Sequence, residues 1–377
     1  MAERNESRMD KRKQEHKMRI LFYIASLGLG GAERVVCILA NALATKGYEV
    51  HIGLVVNRNV LYELSDDVNV HFMDCEKDMH MNAANRYFYR VQKIKRLAKT
   101  VKPCVAISFM AETNIDVCMA MLGLNIPLIV SERNDPAVDP ASRIKQMMRR
   151  FLYVRPRGFV FQTPDAQAYF SKSIRDRSVI ILNPLSDNLP ARKNSNDEKR
   201  IVSACRLDKQ KNLPLMIDAF QVFVSKHPEY SLEIYGDGKL KDQLKRLIED
   251  KKLNDKIKLM GYCADVHNKV ADASMFVLTS DYEGMPNALL EAMAMGIPCI
   301  STDCPCGGPR MLMEDGKKGI LIPVGDKQEL VNAMLFYAEN PQEAEKYGLN
   351  ARQIKEMADR ECVVSQWETY INVCINR

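Results

Sequence analysis

The chain has 377 residues, of which 46% are apolar and 27% are charged, and its formal net charge is +6 at pH 7. This composition is typical of a globular protein and excludes fibrous and intrinsically disordered classes. Eleven cysteines, an odd number that includes no Cys-x-x-Cys pair, favour reduced thiols in the cytoplasm over a disulfide framework.

The N-terminal residues 1–17 are strongly charged and lack the apolar stretch of a secretory signal, so we predict a disordered extension there. The longest charge-free run, 117–131, is shorter than the roughly 20 apolar residues that a membrane-spanning helix needs. The sequence therefore predicts a cytoplasmic protein whose folded part begins near Met18.

The first half alternates β-branched runs with amphipathic helical stretches, the first helix being predicted over 31–46. At about 150 residues per domain, the length predicts two domains, and this alternation predicts a Rossmann-like N-terminal domain over 18–185 with a mainly parallel sheet. Its strands are predicted at 19–25, 50–56, 70–73, 104–108, 127–131, 158–162 and 178–182.

A polar, proline-containing stretch predicts a linker over 186–199, after which the same alternation returns in a second α/β domain over 200–360. Apolar residues at helical spacing then predict a C-terminal helix over 361–377. Because ligands of doubly wound sheets bind beyond the carboxyl ends of the strands, two such domains facing each other would form a cleft. Strands of the second domain are predicted at 200–205, 231–235, 256–260, 275–279, 298–302 and 319–322.

The loop between the first strand and the first helix is rich in glycine around Gly30 and Gly31. Backbone amides there can approach a phosphate closely, although a tight strand-to-helix turn explains the glycines equally well. A dinucleotide fingerprint would need glycine in place of Glu33 and an acidic residue near Asn57, so a nicotinamide cofactor is not expected.

The loop 281–291 follows a predicted strand and opens a helix near Pro286. The free amides of Asn287 and Ala288, with the helix dipole, would bind an anion. Glu291 would accept hydrogen bonds from ribose hydroxyls, and Glu283 from hydroxyls of a transferred sugar. Spacing alone would also fit two solvated surface acids.

Arg206 and Lys211 follow the first strand of the second half. Two cations at a strand's carboxyl end can neutralise the charge that builds on a departing diphosphate, although such a pair is often plain surface charge. The sequence contains no Asp-x-Asp triplet, so we predict a reaction that needs no metal ion.

These motifs together resemble the family-4 retaining glycosyltransferases of the GT-B fold, from about Arg19 to the C-terminus. The most specific is the pair Glu283 and Glu291, with seven residues between them. Further motifs are Gly-Gly-Ala-Glu at 30–33, Arg-Leu at 206–207 with Lys-Asn at 211–212, Tyr-Gly-Asp-Gly at 235–238, and Thr-Asp-Cys-Pro-Cys-Gly-Gly-Pro at 302–309.

The resemblance implies transfer of a hexose or N-acetylhexosamine from a nucleotide diphosphate sugar, with UDP as the expected base, and retention without a covalent intermediate. It also implies that the C-terminal helix packs on the first domain. The catalytic residues would be Glu283, Arg206 and Lys211. The donor-binding residues would be Gly30, Gly31, Arg206, Lys211, Glu283, Gly284, Met285, Asn287, Ala288 and Glu291.

Two departures from that family bear on the substrates. Met311 stands where many relatives carry glutamate, which removes a polar contact to the donor. The segment Ser-Glu-Arg-Asn at 131–134 replaces a histidine region and resembles a subgroup that acts on capsular or lipid-linked oligosaccharides. Glu132, Arg133 and Asn134 would then lie on the side of a glycan or polyprenyl-linked acceptor.

Residues 86–157 contain 14 Lys or Arg against 5 Asp or Glu, a net charge of 14 − 5 = +9. Within them, a helix predicted over 142–154 places Ile144, Met147, Met148, Phe151 and Leu152 on one face among basic residues. This face predicts peripheral contact with anionic lipid on the inner side of the plasma membrane, unless it packs in the core with a solvated basic rim.

Two other functional classes remain as alternatives. A sugar-nucleotide epimerase of the same fold would also bind phosphates in a cleft, but it would need acid and base groups at the sugar's C2. A nucleic-acid-binding protein would fit the positive charge, but no helix-turn-helix, zinc knuckle or aromatic-basic strand occurs, so nucleic acid is not an expected partner.

Overall fold

The computed structural model describes residues 17–28, 30–58, 60–73, 82–187, 189–192, 199–313 and 315–377. Residues 1–16 of the extension predicted at 1–17, and residues 188 and 193–198 of the linker predicted at 186–199, thus lie outside the described residues. Two compact units divide the chain. Unit 1 takes its described residues from Met1–Phe161, Phe170–Val179 and Val364–Arg377, and unit 2 from Gln162–Tyr169 and Ile180–Val363.

Unit 1 is built on a seven-stranded sheet of order β3-β2-β1-β4-β5-β6-β7, in which the neighbours from β3 to β6 pair in parallel. Its strands are β1 (Arg19–Ile24), β2 (Glu49–Leu54), β3 (Val68–Phe72), β4 (Val105–Phe109), β5 (Leu128–Ser131), β6 (Gly158–Phe161) and β7 (Ser178–Ile180). Its helices are α1 (Gly31–Thr45), α2 (Ala83–Val101), α3 (Ala111–Ala120), α4 (Arg143–Leu152) and α6 (Lys172–Arg175), while α5 (Pro164–Ala168) belongs to unit 2.

Unit 2 has a fully parallel six-stranded sheet of order β10-β9-β8-β11-β12-β13. Its strands are β8 (Arg200–Ala204), β9 (Ser231–Tyr235), β10 (Ile257–Gly261), β11 (Met275–Leu278), β12 (Cys299–Thr302) and β13 (Ile320–Ile322). Its helices are α7 (Leu213–Lys226), α8 (Lys241–Asp250), α9 (Val266–Val270), α10 (Asn287–Met295), α11 (Gly308–Met313), α12 (Lys327–Glu339), α13 (Pro341–Ala351) and α14 (Ile354–Ala358).

The central strands are mostly apolar and buried, as is typical of parallel sheets. All residues of β4, β5, β11 and β12 are buried. Every strand predicted from the sequence is present, with its ends within two residues of the prediction. The predicted α/β class, two parallel-sheet Rossmann-like domains, is therefore confirmed.

The last helix, α15 (Arg360–Asn376), supplies the C-terminal part of unit 1 from Val364 onwards. Trp367 is fully buried and stacks on Phe109, with ring centroids 5.5 Å apart. The hydroxyl of Tyr370 accepts a hydrogen bond from the amide of Phe159 at 2.9 Å. The end of the chain thus completes the core of the unit that its beginning forms.

Candidate functional site

The strand order of unit 2 reverses between β8 and β11, which are adjacent in the sheet while their following strands lie on opposite sides. A crevice for ligands opens at such a point, beyond the carboxyl ends of the two strands. The segments that follow these strands are 205–212 and 279–286, which hold the predicted residues Arg206, Lys211 and Glu283.

Lys211 and Glu283 form an ion pair at this point, through Nζ and Oε1. Their side chains are only 12% and 8% exposed, so the sequence alternative of solvated surface acids is wrong for Glu283. The same Oε1 accepts a hydrogen bond from the hydroxyl of Ser280 at 2.6 Å. Glu283 is thereby held beside the cation that the sequence analysis assigned to a diphosphate.

The loop that carries Glu283 is fixed to the neighbouring segments by backbone contacts. Glu283 donates its amide hydrogen to the carbonyl of Pro305 at 2.8 Å, and Gln210 donates its side-chain amide to the carbonyl of Tyr282 at 2.8 Å. The hydroxyl of Thr302 donates to the carbonyl of Ser280 at 2.6 Å. Residues at or beyond the ends of two neighbouring strands, β8 and β12, therefore hold the loop that follows β11.

Arg206 differs from Lys211 because its side chain is 66% exposed. One terminal nitrogen lies 3.4 Å from a carboxylate oxygen of Asp208 and 3.4 Å from the side-chain oxygen of Gln210. Since its contacts are long and solvent-accessible, the guanidinium can turn toward an anion at small cost. The predicted basic pair thus consists of one buried and one exposed cation.

The Tyr-Gly-Asp-Gly motif supports the backbone on either side of Arg206. Gly236 has φ +131°, and a Cβ added to it would lie 1.9 Å from the carbonyl oxygen of Cys205. A Cβ on Gly238 would lie 2.5 Å from the carbonyl oxygen of Leu207. Glycine is needed because the end of β9 packs directly on the segment that bears the cation.

Helix α10 begins at Asn287, after Pro286 as N-cap, and Pro286 makes no side-chain capping hydrogen bond. The side-chain oxygen of Asn287 accepts a hydrogen bond from Asn183 at 2.5 Å, and that of Asn183 accepts one from Gln162 at 2.6 Å. Gln162 and Asn183 are both 3% exposed. This buried amide chain fixes the helix N-terminus, and the sequence analysis did not name either Gln162 or Asn183.

Gly308 packs directly on the loop that precedes α10. A Cβ on Gly308 would lie 1.8 Å from the carbonyl oxygen of Gly284, so the two backbones touch. Met285 is buried in the core beside α10, while Ala288 is half-buried and packs against it. Met311, the methionine that stands where the resembled family often has glutamate, is partly buried and packs on the same core. Its side chain therefore has a structural role.

Glu291 lies one turn into α10 and is 5% exposed, so it is not a solvated surface acid either. Its Oε1 accepts a hydrogen bond from the hydroxyl of Ser186 at 2.7 Å, and its Oε2 lies 3.0 Å from Nε2 of His267. The sequence analysis named neither Ser186 nor His267, because both are distant in sequence from Glu291.

In unit 1, the predicted phosphate loop caps α1 with Gly30, whose amide donates to the carbonyl of Gly28 at 2.9 Å. Leu29 lies outside the described residues. The carboxylate of Glu33 covers Gly30, since a Cβ there would lie 2.0 Å from Oε2. The tight turn is present, and the phosphate contact of Gly30 and Gly31 stays a prediction.

The Ser-Glu-Arg-Asn segment is largely inside unit 1. Glu132 is 2% exposed, accepts a hydrogen bond from the hydroxyl of Tyr153, and has its pKa raised to about 7 by burial. Arg133 lies over the ring of Phe109, 4.6 Å from its centroid, and burial lowers its pKa to about 9. Asn134 is half-buried, with Nδ2 3.5 Å from a carboxylate oxygen of Asp139. These positions pack within the unit, and their acceptor role stays a prediction.

Helix α4 carries an exposed apolar stripe formed by Ile144, Met147 and Phe151, which are 68%, 57% and 69% exposed. The side chains of Arg143 and Arg150 beside it are also exposed. The predicted lipid-contacting face is too wide, because Leu152 is buried and Met148 is half-buried. The alternative of a fully core-packed apolar face is therefore wrong for the stripe.

Among the residues that the structure describes, no helix is both long and apolar enough to cross a membrane. The same residues contain no group of three His, Cys, Asp or Glu side chains arranged to hold a metal ion.

Residues 186–354 match the family model described as glycosyl transferases group 1. An N-acetylgalactosamine-N,N'-diacetylbacillosaminyl-diphospho-undecaprenol 4-alpha-N-acetylgalactosaminyltransferase of Campylobacter jejuni is 27% identical over 347 residues, 88% of this chain and 93% of the relative. An uncharacterized glycosyltransferase of Haemophilus influenzae is 24% identical over 353 residues, 93% of this chain and 99% of the relative. The structure of Anabaena HepE in complex with UDP and glucose superimposes with a TM-score of 0.81 at 20% identity, over 94% of this chain and 99% of that chain.

Proposed function

We propose that this chain, whose residues 186–354 match the model of glycosyl transferases group 1, is an enzyme that moves a hexose or N-acetylhexosamine from a UDP-sugar to a lipid-linked glycan, with retention of anomeric configuration and without a metal ion. The observation that carries the proposal is the ion pair of Lys211 and Glu283 at the switch point of unit 2, beside the exposed Arg206. The nearby N-terminus of α10 adds a helix dipole that favours an anion.

In this proposal Lys211 and Arg206 neutralise the diphosphate as the bond to the sugar breaks, because the leaving group gains negative charge in the transition state. Glu283 accepts hydrogen bonds from hydroxyls of the transferred sugar. Glu291 accepts hydrogen bonds from the ribose. Both carboxylates then face neutral hydroxyl groups. A carboxylate beside a phosphate would instead repel it.

Two observations support a lipid-linked acceptor. The Campylobacter jejuni relative is named for a diphospho-undecaprenol acceptor. The exposed stripe Ile144, Met147 and Phe151 beside Arg143 and Arg150 has the chemistry of a surface that rests on anionic lipid. We therefore propose peripheral attachment to an anionic membrane as part of the function.

The test incubates purified protein, in chelator, with UDP-sugars and with or without a polyprenyl-diphosphate glycan. We expect release of UDP that depends on acceptor, and a product whose new linkage keeps the anomeric configuration of the donor. Interconversion of donor sugars without acceptor would instead support an epimerase. Activity that is lost in chelator and restored by magnesium would overturn the metal-free part of the proposal.

A further inference from the structure

The carboxylate of Glu291 is held at both oxygens by side chains from other parts of unit 2. Ser186 donates its hydroxyl to Oε1 at 2.7 Å, and Nε2 of His267 lies 3.0 Å from Oε2. An ionised carboxylate only accepts hydrogen bonds, so His267 can meet Oε2 as a donor when its Nε2 carries a hydrogen. The side chains of His267 and Glu291 are 24% and 6% exposed, so little water competes for these contacts.

The two donors come from separate elements. Ser186 lies in the segment after β7, and His267 lies in α9, which follows β10. A glutamate side chain loses rotamer entropy when it is fixed. Donors on both oxygens impose that order before a ligand arrives, so less of the ligand's binding free energy is lost to ordering.

A carboxylate that is already held can still contact a ligand, because each of its oxygens can accept more than one hydrogen bond. A ribose offers two neighbouring hydroxyls, and their spacing matches the two oxygens of one carboxylate. The direction in which the carboxylate plane faces therefore decides whether it can accept from both hydroxyls.

We propose that His267, with Ser186, is a positioning residue that holds the Glu291 carboxylate in the orientation that accepts hydrogen bonds from the ribose hydroxyls of the donor. This inference rests on the proposed function, because it needs Glu291 to contact the ribose. It assigns a role in donor recognition to two residues outside the family motifs found in the sequence.

The test compares His267→Asn with His267→Gln in the full chain. The side-chain nitrogen of glutamine reaches the place of Nε2, whereas that of asparagine reaches the place of Nδ1 and cannot meet Oε2. Calorimetry would measure the affinity of each variant for UDP and for 2′,3′-dideoxy-UDP, which lacks both ribose hydroxyls.

We expect His267→Asn to weaken UDP binding roughly fivefold, the worth of one hydrogen bond, and to leave dideoxy-UDP binding unchanged. His267→Gln should restore most of the affinity for UDP. In turnover, His267→Asn should raise the KM for the donor while kcat changes little. Ser186→Ala should give the same pattern and covers the case in which a His267 variant does not fold.

If His267→Asn binds UDP and dideoxy-UDP more weakly by the same factor, the role of His267 is merely structural and the inference is overturned. Unchanged binding of UDP by His267→Asn would overturn it as well. Glu291→Gln separates this failure from failure of the proposed function. If Glu291→Gln loses the preference for UDP over dideoxy-UDP while His267→Asn keeps it, only the positioning role is wrong. If wild type and Glu291→Gln bind both nucleotides alike, the ribose role of Glu291 is wrong as well.

Discussion

The ion pair of Lys211 and Glu283 couples the two residues that the proposed reaction needs most. Both side chains are almost buried, so the removal of one partner leaves the other as an uncompensated charge. The pair keeps both groups in place when no diphosphate is bound. A diphosphate that contacts Lys211 supplies a second negative partner for the cation and so shares it with Glu283.

Lys211→Ala is predicted to lower kcat by at least about a hundredfold while the KM for the donor rises much less, because the cation matters most as charge develops on the leaving group. Steady-state kinetics with saturating acceptor would measure both constants. Lys209→Ala is the matched control, since Lys209 is exposed in the same short helical turn, Lys209–Lys211. A kcat within twofold of wild type in Lys211→Ala would contradict the assignment.

Glu132 is a second buried carboxyl, and its raised pKa makes the stability of unit 1 depend on pH. The folded pKa is about 7, above the ordinary value, so the folded state binds the proton more tightly than the unfolded state does. The stabilisation is then complete at pH values below the ordinary pKa and is lost as pH rises through about 7. Tyr153 and Arg149 favour the charged form, but burial has the larger effect.

Glu132→Gln should therefore be more stable than wild type at pH 8, by roughly 1 to 3 kcal/mol, and should lose that advantage near pH 5. Urea unfolding at both pH values, followed by circular dichroism, would measure the difference. Glu112→Gln is the control, since the side chain of Glu112 is 60% exposed. A Glu132→Gln variant with the same pH dependence as wild type would show that the carboxyl does not titrate in this range.

At the scale of elements, α10 and α4 differ in which of their side chains are buried. Helix α10 is buried along most of its length, and its N-terminus is fixed by the side chains of Asn183 and Gln162. Helix α4 buries Arg149 and Leu152 and exposes its apolar stripe of Ile144, Met147 and Phe151. An apolar stripe that stays in water in the folded chain indicates a binding surface.

The double variant Ile144→Ser, Phe151→Ser should lose at least about tenfold in affinity for anionic vesicles, because each buried apolar side chain contributes roughly 1.5 to 3 kcal/mol. Its melting temperature should stay within 2 °C of wild type or so, since both side chains are already exposed. Co-sedimentation with phosphatidylglycerol vesicles would measure the binding. Leu349→Ser, at an exposed apolar residue of unit 2, should bind as wild type does. Equal vesicle binding by the double variant and wild type would remove α4 from the proposed membrane surface.

At the scale of the whole molecule, the two sheets have the same order of strands apart from the additional β7 of unit 1. The switch point lies between β1 and β4 in unit 1 and between β8 and β11 in unit 2. Unit 1 is discontinuous in sequence, because its core takes Trp367 and Tyr370 from the end of the chain. Unit 1 therefore depends on residues that follow the whole of unit 2 in the sequence.

Trp367→Ala should destabilise unit 1 by about 3 to 5 kcal/mol, the usual cost of removing a buried aromatic side chain from a core. Circular dichroism is the suitable probe of urea unfolding, because Trp367 is the only tryptophan and its fluorescence is lost in the variant. Val373→Ala, in the same helix but at a 41% exposed residue, should change stability by less than about 0.5 kcal/mol. A chain truncated after Val363 that unfolds like wild type would contradict the role of α15 in the core.

The sequence by itself determined the strands, their division into two α/β series, and the loops that carry Arg206, Lys211, Glu283 and Glu291. These follow from apolar runs and turn residues, which are local signals that each segment contains. The place of the motifs after strands β8 and β11 then follows from the alternation of strands and helices alone.

Only the tertiary structure decided which side chains meet. Ser186 reaches Glu291 across 105 residues of sequence, and Gln162 reaches the amide of Met285 across 123. The burial of Glu132 was equally out of reach, since this residue lies in a polar stretch of sequence. For Phe151 the sequence left open an exposed face and a core-packed one, and the structure decided for exposure. Such contacts depend on how whole elements dock on the sheets, and docking leaves no periodic pattern in the chain.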